Sequence, residues 1–294
     1  MKILVIGKNG QLGKSINKIV SNSLTSDEYS FIGRDVLDLA NLNSISDYFE
    51  KNQFEIVVNC AAFTKVDNAE DEKKIANLIN HLAIKKISSI LKFTNSKLIH
   101  ISTDYVFDGI SKKPFTEKDI TCPINYYGKS KLSGELALLR NMPSNAIVIR
   151  TSWMYSEFEN NFLNTMLNLG KVKNELKVVN DEIGSPTYAL DLAQAIVKII
   201  ESRMTDELFK ESQIYHFASL GQCSWFEFAN EIFKKTNINC RVLPIKSDDY
   251  VTIAKRPKYS VLDTTKISKD YDVNPKNWTE SLYICINEIN KTHV

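Results

Sequence analysis

The chain has 294 residues, 33.5 kDa and 43% hydrophobic residues, enough for one large or two modest globular domains and unlike a disordered or collagen-like chain. Thirty-seven Lys and Arg against 35 Asp and Glu leave a net charge of +2, so no overall field recruits nucleic acid or an anionic membrane surface. Cys60, Cys122, Cys223, Cys240 and Cys285 are scattered without C-x-x-C spacing, which excludes a zinc ribbon or disulfide framework and suggests reduced, mostly buried thiols.

Short β-branched runs at residues 2–6, 29–32, 54–60, 97–102 and 146–150 read as strands, separated by longer amphipathic segments that read as helices. Apolar strands joined by helical crossovers predict an α/β fold with a doubly wound, Rossmann-type parallel sheet, whose ligands sit at the carboxyl ends of the strands. Beyond Arg150 the pattern predicts helices at 158–170, 188–201, 225–235 and 279–290 and strands at 177–179 and 215–217. This part reads as a smaller C-terminal substrate-binding lobe. The expected division is 1–153 for a dinucleotide-binding domain and 154–294 for most of the lobe, with segments around 185–218 packing back on the sheet. No apolar run reaches the ~18 residues of a membrane span. The N-terminal apolar run ends in glycines without a cleavage site, so the expected compartment is the cytoplasm.

The first predicted strand runs into Gly7-x-x-Gly10-x-x-Gly13 and then a helix. Glycines there permit a tight turn and let helix N-terminal amides approach a pyrophosphate. At the end of the second strand Arg34 could hold a 2′-phosphate, while Asp35 or Asp38 could accept from a ribose hydroxyl. The balance favours NADP(H) with NAD(H) tolerated. Small residues after the third strand, Ala61 and Ala62, would let backbone lie close to a flat cofactor. The acidic run 67–72 is expected to start and solvate a helix, without a catalytic role.

Ser102-Thr103 ends the fourth strand, and Tyr127 and Lys131 stand four apart on a predicted helix, hence on one face. A nearby ammonium favours a phenolate and would bring Tyr127 toward the pH range of a general acid. Thr103 could donate a second hydrogen bond to the same carbonyl oxygen. Tyr126 is the rival phenol, five residues from Lys131 and off its face. The histidines His81, His100, His216 and His293 lack ligand spacing, so no metal is expected, and His100 and His216 read as satisfied core imidazoles. No serine-hydrolase elbow or P-loop is present.

The glycine turn, Asn59-Cys-Ala-Ala-Phe-Thr-Lys-Val-Asp67, Ser102-Thr-Asp-Tyr-Val-Phe-Asp-Gly109, Tyr127-Gly-Lys-Ser-Lys131 with Gly134-Glu135, Arg150-Thr-Ser-Trp153 and Arg256-Pro-Lys-Tyr-Ser-Val-Leu-Asp263 together resemble the dTDP-4-dehydrorhamnose reductases, extended short-chain dehydrogenases. The likeness runs from the first strand to about Lys266. It implies reduction of the C4 ketone of a dTDP-linked 6-deoxyhexose by NADPH, with NADH accepted. In that family's terms Tyr127 would be the proton donor, Lys131 would lower its pKa and hold the nicotinamide ribose, and Thr103 would orient the carbonyl. Gly10, Gln11 and Leu12 would carry the pyrophosphate, Asp38 and Leu39 meet the adenine, Ala62, Phe63 and Thr64 line the cofactor, and Asp104 and Trp153 face the sugar.

Departures from the family pattern are Lys14-Ser15 where some members place acids for a magnesium ion at a dimer interface, Phe63 where tyrosine is common, and a missing proline in 249–256. The resemblance leaves a monomer or a homodimer. Two alternatives remain: a reductase of another nucleotide-linked 4-keto sugar, and a silent NADP-binding regulatory subunit, against which the intact Tyr127 and Lys131 count.

Overall fold

In the computed structural model, which describes residues 1–202 and 209–292, the first half alternates strand and helix. β1 (Lys2–Ile6), α1 (Gln11–Ser21), β2 (Glu28–Ile32), α2 (Leu42–Lys51) and β3 (Ile56–Asn59) lead into two short helices, α3 (Asn68–Asp71) and α4 (Lys73–Asn77). A π-helical turn (Leu78–Leu82), α5 (Ala83–Leu91), β4 (Lys97–Thr103), α6 (Tyr126–Asn141) and β5 (Ala146–Thr151) follow. The remainder contains β6 (Met154–Tyr155), α7 (Phe162–Val172), β7 (Glu175–Val179), β8 (Ile183–Gly184), β9 (Thr187–Tyr188), α8 (Ala189–Glu201) and β10 (Gln213–His216), then β11 (Cys223–Ser224), α9 (Trp225–Thr236), β12 (Arg241–Ile245), α10 (Thr265–Tyr271) and α11 (Trp278–Thr292).

The main sheet has six parallel strands in the order β2-β1-β3-β4-β5-β10. Because successive side chains point to opposite faces, Ile3, Val5, Val58 and Ile149 pack against Ile16 of α1 and Leu192 and Ile196 of α8. Leu4, Ile6, Val57 and Val148 meet Ile45 of α2, Ile84 and Ile87 of α5 and Leu138 of α6. Both faces are thus covered, which is why these strands read as continuous apolar runs. Each fully buried Leu or Ile contributes about 1.5–3 kcal/mol. The order in which the chain adds strands to the sheet reverses between β1 and β3, and the residues at the carboxyl ends of those two strands, Ile6, Gly7, Cys60 and Ala61, line a cleft.

A separate core holds Tyr155, Leu163, Met166, Phe228, Ile232 and Leu282 among α7, α9 and α11. Two-stranded pairs flank it, β7 with β12 in parallel and β8 with β11 antiparallel. Within the 185–218 segment, α8 and β10 lie against the main sheet; residues 203–208, like His293, are outside the described residues. Among the described residues no helix is long and apolar enough to cross a membrane.

Some boundaries differ from the sequence reading for physical reasons. The helix expected from 158 begins at Phe162, because the Asn161 side chain accepts from the Asn164 amide at 3.1 Å and caps it there. Strand β12 carries Pro244 and pairs with β7 alone, so it lacked a strand signal. All five cysteines are free; Cys122 is exposed and Cys60 half-buried, while the other three are buried.

Candidate active site

The glycine turn closes on backbone alone. Gly7 sits at φ +100°, and the Gly7 and Lys8 amides both donate to Ile32 O at 2.9 Å. A Cβ on Gly7 would lie 2.9 Å from Ala61 N, and one on Gly13 would lie 2.2 Å from Gly7 O, so both positions require glycine. Gly10 is the N-cap of α1 and offers no side-chain cap, which leaves the first amides of the helix open toward the crevice. That is a cradle for a pyrophosphate.

Gly7, Gly10, Gln11, Leu12, Arg34, Asp38, Leu39, Ala61, Ala62, Phe63 and Thr64 all line one cleft of about 670 Å³. Gly13 does not line it; its part is the close packing of α1 on the turn. The Gln11 side chain is committed elsewhere, its Oε1 accepting from Ser156 Oγ at 2.8 Å and Asn161 Nδ2 at 3.0 Å, so its backbone faces the cleft's ligand. At the outer end Arg34 Nε donates to Asp38 Oδ2 at 3.2 Å and Lys8 Nζ to Asp35 Oδ2 at 2.8 Å. Of the two acids left open by the sequence, Asp38 lines the cleft and Asp35 does not. The Arg34 side chain is 77% exposed, with its terminal nitrogens available to a phosphate. The open helix amides, the small residues and this guanidinium fit a nicotinamide dinucleotide phosphate.

Beside the cleft, Thr103 ends β4 with its Oγ1 donating to Asp104 Oδ1 at 3.0 Å and accepting from the Tyr105 amide at 3.2 Å. Asn125 caps α6 by accepting from Gly128 N at 2.8 Å, and Gly128 packs so closely on the Asp104–Val106 turn that a Cβ would lie 2.1 Å from Tyr105 O. This brings Tyr127 edge-on to Tyr105, ring centroids 5.7 Å apart, and close to the Thr103 hydroxyl. Burial raises the phenol to about 12; the nearby Thr103 hydroxyl opposes the shift and Asp104 adds to it. Lys131 is fully buried, donates to Ile101 O at 2.6 Å, and is lowered to about 8 by burial.

The expectation that the Lys131 ammonium pulls Tyr127 down is therefore not what the structure gives: the amine is tied to the strand backbone, and burial governs the phenol. Tyr126 is turned away, with Lys73 Nζ over its ring at 5.7 Å.

Behind these groups Ser102 donates to Glu135, whose carboxylate takes Arg150 Nη2 at 2.7 Å and Nε at 3.1 Å in a buried ion pair. On the open side Asp104 is 2% exposed. Burial pushes its carboxyl up to about 7 against the pull of the Ser260 and Thr103 hydroxyls. Trp153 adopts φ +45° and stacks on Trp225 at 3.5 Å, 5° from parallel. One indole face is thus covered by Trp225, and Gly184 lies so close over the other that a Cβ there would sit 2.4 Å from Trp153 Cε2, so neither face is open for the expected stacking on a sugar. Next to it Phe162, Lys177, Glu182, Trp225, Tyr250 and Arg256 line a pocket of about 240 Å³.

Contributors from three parts of the chain escaped the sequence reading: Asn80, the acidic pair Asp67 and Glu70, and Trp225. Asn80, buried in the π-helical turn, accepts from Phe63 N at 2.8 Å and donates to Phe63 O at 3.0 Å and Ser130 Oγ at 2.9 Å, joining the cofactor loop to α6. An amide amid Ile79 and Leu82 was the available signal. Asp67 does not merely solvate a helix: its carboxylate takes Arg256 Nη2 at 2.6 Å and Nη1 at 3.2 Å and accepts from Ala254 N at 3.0 Å. Glu70 likewise accepts from Tyr126 N at 2.7 Å. Trp225 is the third. Of the histidines, His216 keeps an unsatisfied buried Nε2, contrary to expectation, while its Nδ1 meets Phe115 O at 3.0 Å.

A family model described as "RmlD substrate binding domain" matches residues 1–291. The chain is 37% identical over 290 residues to a dTDP-4-dehydrorhamnose reductase of Aggregatibacter actinomycetemcomitans, covering 96% of this chain and 97% of that one. It is similar to the crystal structure of a dTDP-4-dehydrorhamnose reductase from Clostridium acetobutylicum, with TM-score 0.92, 37% identity and 99% and 100% of the two chains covered. It is also similar to the enzyme of that name from Bacillus anthracis, solved in complex with NADP, with TM-score 0.90, 34% identity and coverage of 98% and 99%.

Proposed function

The chain belongs to the RmlD substrate binding domain family, and from that premise we propose that it reduces the C4 ketone of dTDP-4-dehydro-6-deoxy-L-mannose to dTDP-L-rhamnose with NADPH, NADH being the weaker alternative. The observation that carries this reading is a cleft lined by the glycine turn and residues 60–64, with Lys131 beside Cys60 at its edge and Tyr127, four residues before Lys131 on α6, close to Thr103. The main-sheet half would bind the cofactor and the C-terminal lobe the sugar nucleotide. All the site residues come from one chain, so a monomer or a homodimer serves equally. The proposed place of work is the cytoplasm.

When bound, NADPH supplies the hydride to the C4 carbon. Gly10, Gln11 and Leu12 would offer backbone amides to the pyrophosphate, Arg34 the contact to the 2′-phosphate, and Ala61 to Thr64 the wall beside the ring system. Tyr127 holds its proton at Oη throughout the neutral range, as a donor must, and passes it to the carbonyl oxygen. Thr103, its hydroxyl close to that phenol, favours the phenolate left behind. Asp104 would accept from a sugar hydroxyl.

The reading is tested by supplying the ketosugar with NADPH and identifying the product. Formation of dTDP-L-rhamnose at a rate matching cofactor oxidation is expected. An untouched ketosugar with demonstrable NADPH binding, and turnover of a different nucleotide-linked 4-keto sugar, would replace the substrate while keeping the site.

A further inference from the structure

Behind Lys131 lies a chain of polar side chains that the reaction as described does not use. Asn59, at the end of β3, is 1% exposed, and His100, in β4, is fully buried. The amide of Asn59 has its orientation dictated by the backbone. Ala61 N–H can only donate, and it lies 3.2 Å from Asn59 Oδ1, while Asn59 Nδ2 lies 3.4 Å from Ala61 O. The same Nδ2 is 3.0 Å from His100 Nδ1, so that ring nitrogen must accept. Burial and the neighbouring Lys131 hold the imidazole well below its usual pKa, hence neutral. A neutral ring that accepts at Nδ1 carries its proton on Nε2, and Nε2 is 3.5 Å from Lys131 Nζ.

The other groups facing Lys131 do not offset this. Ile101 O takes one N–H at 2.6 Å. Cys60, from the segment after β3, is a thiol pushed up by burial to about 12 and so carries no charge. Glu135, on the same helix, favours the ammonium but is engaged by Arg150 and Ser102. Among this chain's own groups an ammonium at Nζ finds one uncharged acceptor, Ile101 O, and faces a donor at His100 Nε2. A neutral amine fits better, donating to Ile101 O and accepting from His100 Nε2–H.

We propose that His100 is a positioning residue for Lys131: fixed by Asn59 as the Nε2–H tautomer, it presents that N–H to the amine, holds it in place and favours its neutral form. This rests on the reading of Lys131 as the partner of Tyr127. It deepens that reading by making the lysine a group whose charge the fold sets from behind, through β3 and β4.

The test is nitrogen NMR of the full chain carrying 15N-labelled histidine, without added ligand, between about pH 6 and about pH 9. His100 is expected as the neutral Nε2–H tautomer throughout. Its Nε2 resonance should move as Lys131 titrates, and the movement should vanish in Lys131→Met. In Asn59→Asp a carboxylate would accept from Nδ1–H and turn the Nε2 lone pair onto the amine, so the titration seen at His100 should rise by about one pH unit or more. If that variant does not fold, the labelled native chain and Lys131→Met still decide the matter. An Nδ1–H tautomer, an imidazolium in this range, or an Nε2 resonance indifferent to Lys131→Met overturns the proposal. None of these readouts depends on turnover, so they fail independently of the assigned reaction.

Discussion

On the side of the glycine turn the critical contacts run backbone to backbone, with a Cβ on Gly13 falling 2.2 Å from Gly7 O and one on Gly7 2.9 Å from Ala61 N. On the side of the C-terminal lobe they run side chain to side chain: Trp153 lies on Trp225 at 3.5 Å, and Asp67 reaches across 189 positions to Arg256. Backbone contacts leave no rotamer to adjust, so the cofactor half is rigid and its requirements fall on glycine spacing. Side-chain contacts can be weakened one at a time, so on the proposed reading the C-terminal side is where sugar affinity and preference would be tuned.

The contrast breaks first at Gly13. In Gly13→Ala the helix α1 must back away from the turn, costing about 1–3 kcal/mol of stability as overpacking does. NADPH affinity should fall by at least about tenfold, read by cofactor fluorescence alongside the melting temperature. A variant that binds NADPH normally would mean that the turn is softer than the distances imply. Asp67→Asn addresses the other half: losing the charge on a half-exposed clamp should raise the sugar KM by about fivefold to tenfold and leave the NADPH KM unchanged. Equal changes in both would show that the clamp also shapes the cofactor side. Arg34→Ala should weaken NADPH several-fold and NADH hardly at all, a modest effect because the guanidinium is exposed.

The smallest effect is one of pH. Asp104, raised to about 7 by burial, is neutral below that value and a carboxylate above it. The carboxylate accepts more strongly and at both oxygens, so the sugar KM should improve about threefold as pH rises through 7, and Asp104→Asn should flatten that dependence. A sugar KM that worsens over the same range would remove Asp104 from the sugar's partners.

The same division explains what could be read from the chain. The five strands of the first half were legible because a parallel sheet buried on both faces demands continuous apolar runs, and the glycine turn because Gly7 and Gly13 each answer a fixed steric need. Thr103, Tyr127 and Lys131 were legible from helical spacing and a strand end. Asp67 was not, since nothing local distinguishes a carboxylate that starts a helix from one that grips an arginine far along the chain. Trp225 and Asn80 were hidden for the same reason: their partners, Trp153 and Phe63, are set by tertiary packing. Burial also overrode a pairwise expectation, because spacing places Lys131 beside Tyr127 but does not reveal that Ile101 O holds the amine.

The most direct test of the central claim compares Tyr127→Phe with Tyr126→Phe for NADPH oxidation by dTDP-4-dehydro-6-deoxy-L-mannose, with cofactor affinity measured on both. The account predicts a loss of kcat of about 100-fold to 10,000-fold in Tyr127→Phe at unchanged NADPH affinity, and near-native turnover in Tyr126→Phe. Full turnover in Tyr127→Phe, or its loss in Tyr126→Phe alone, would contradict it.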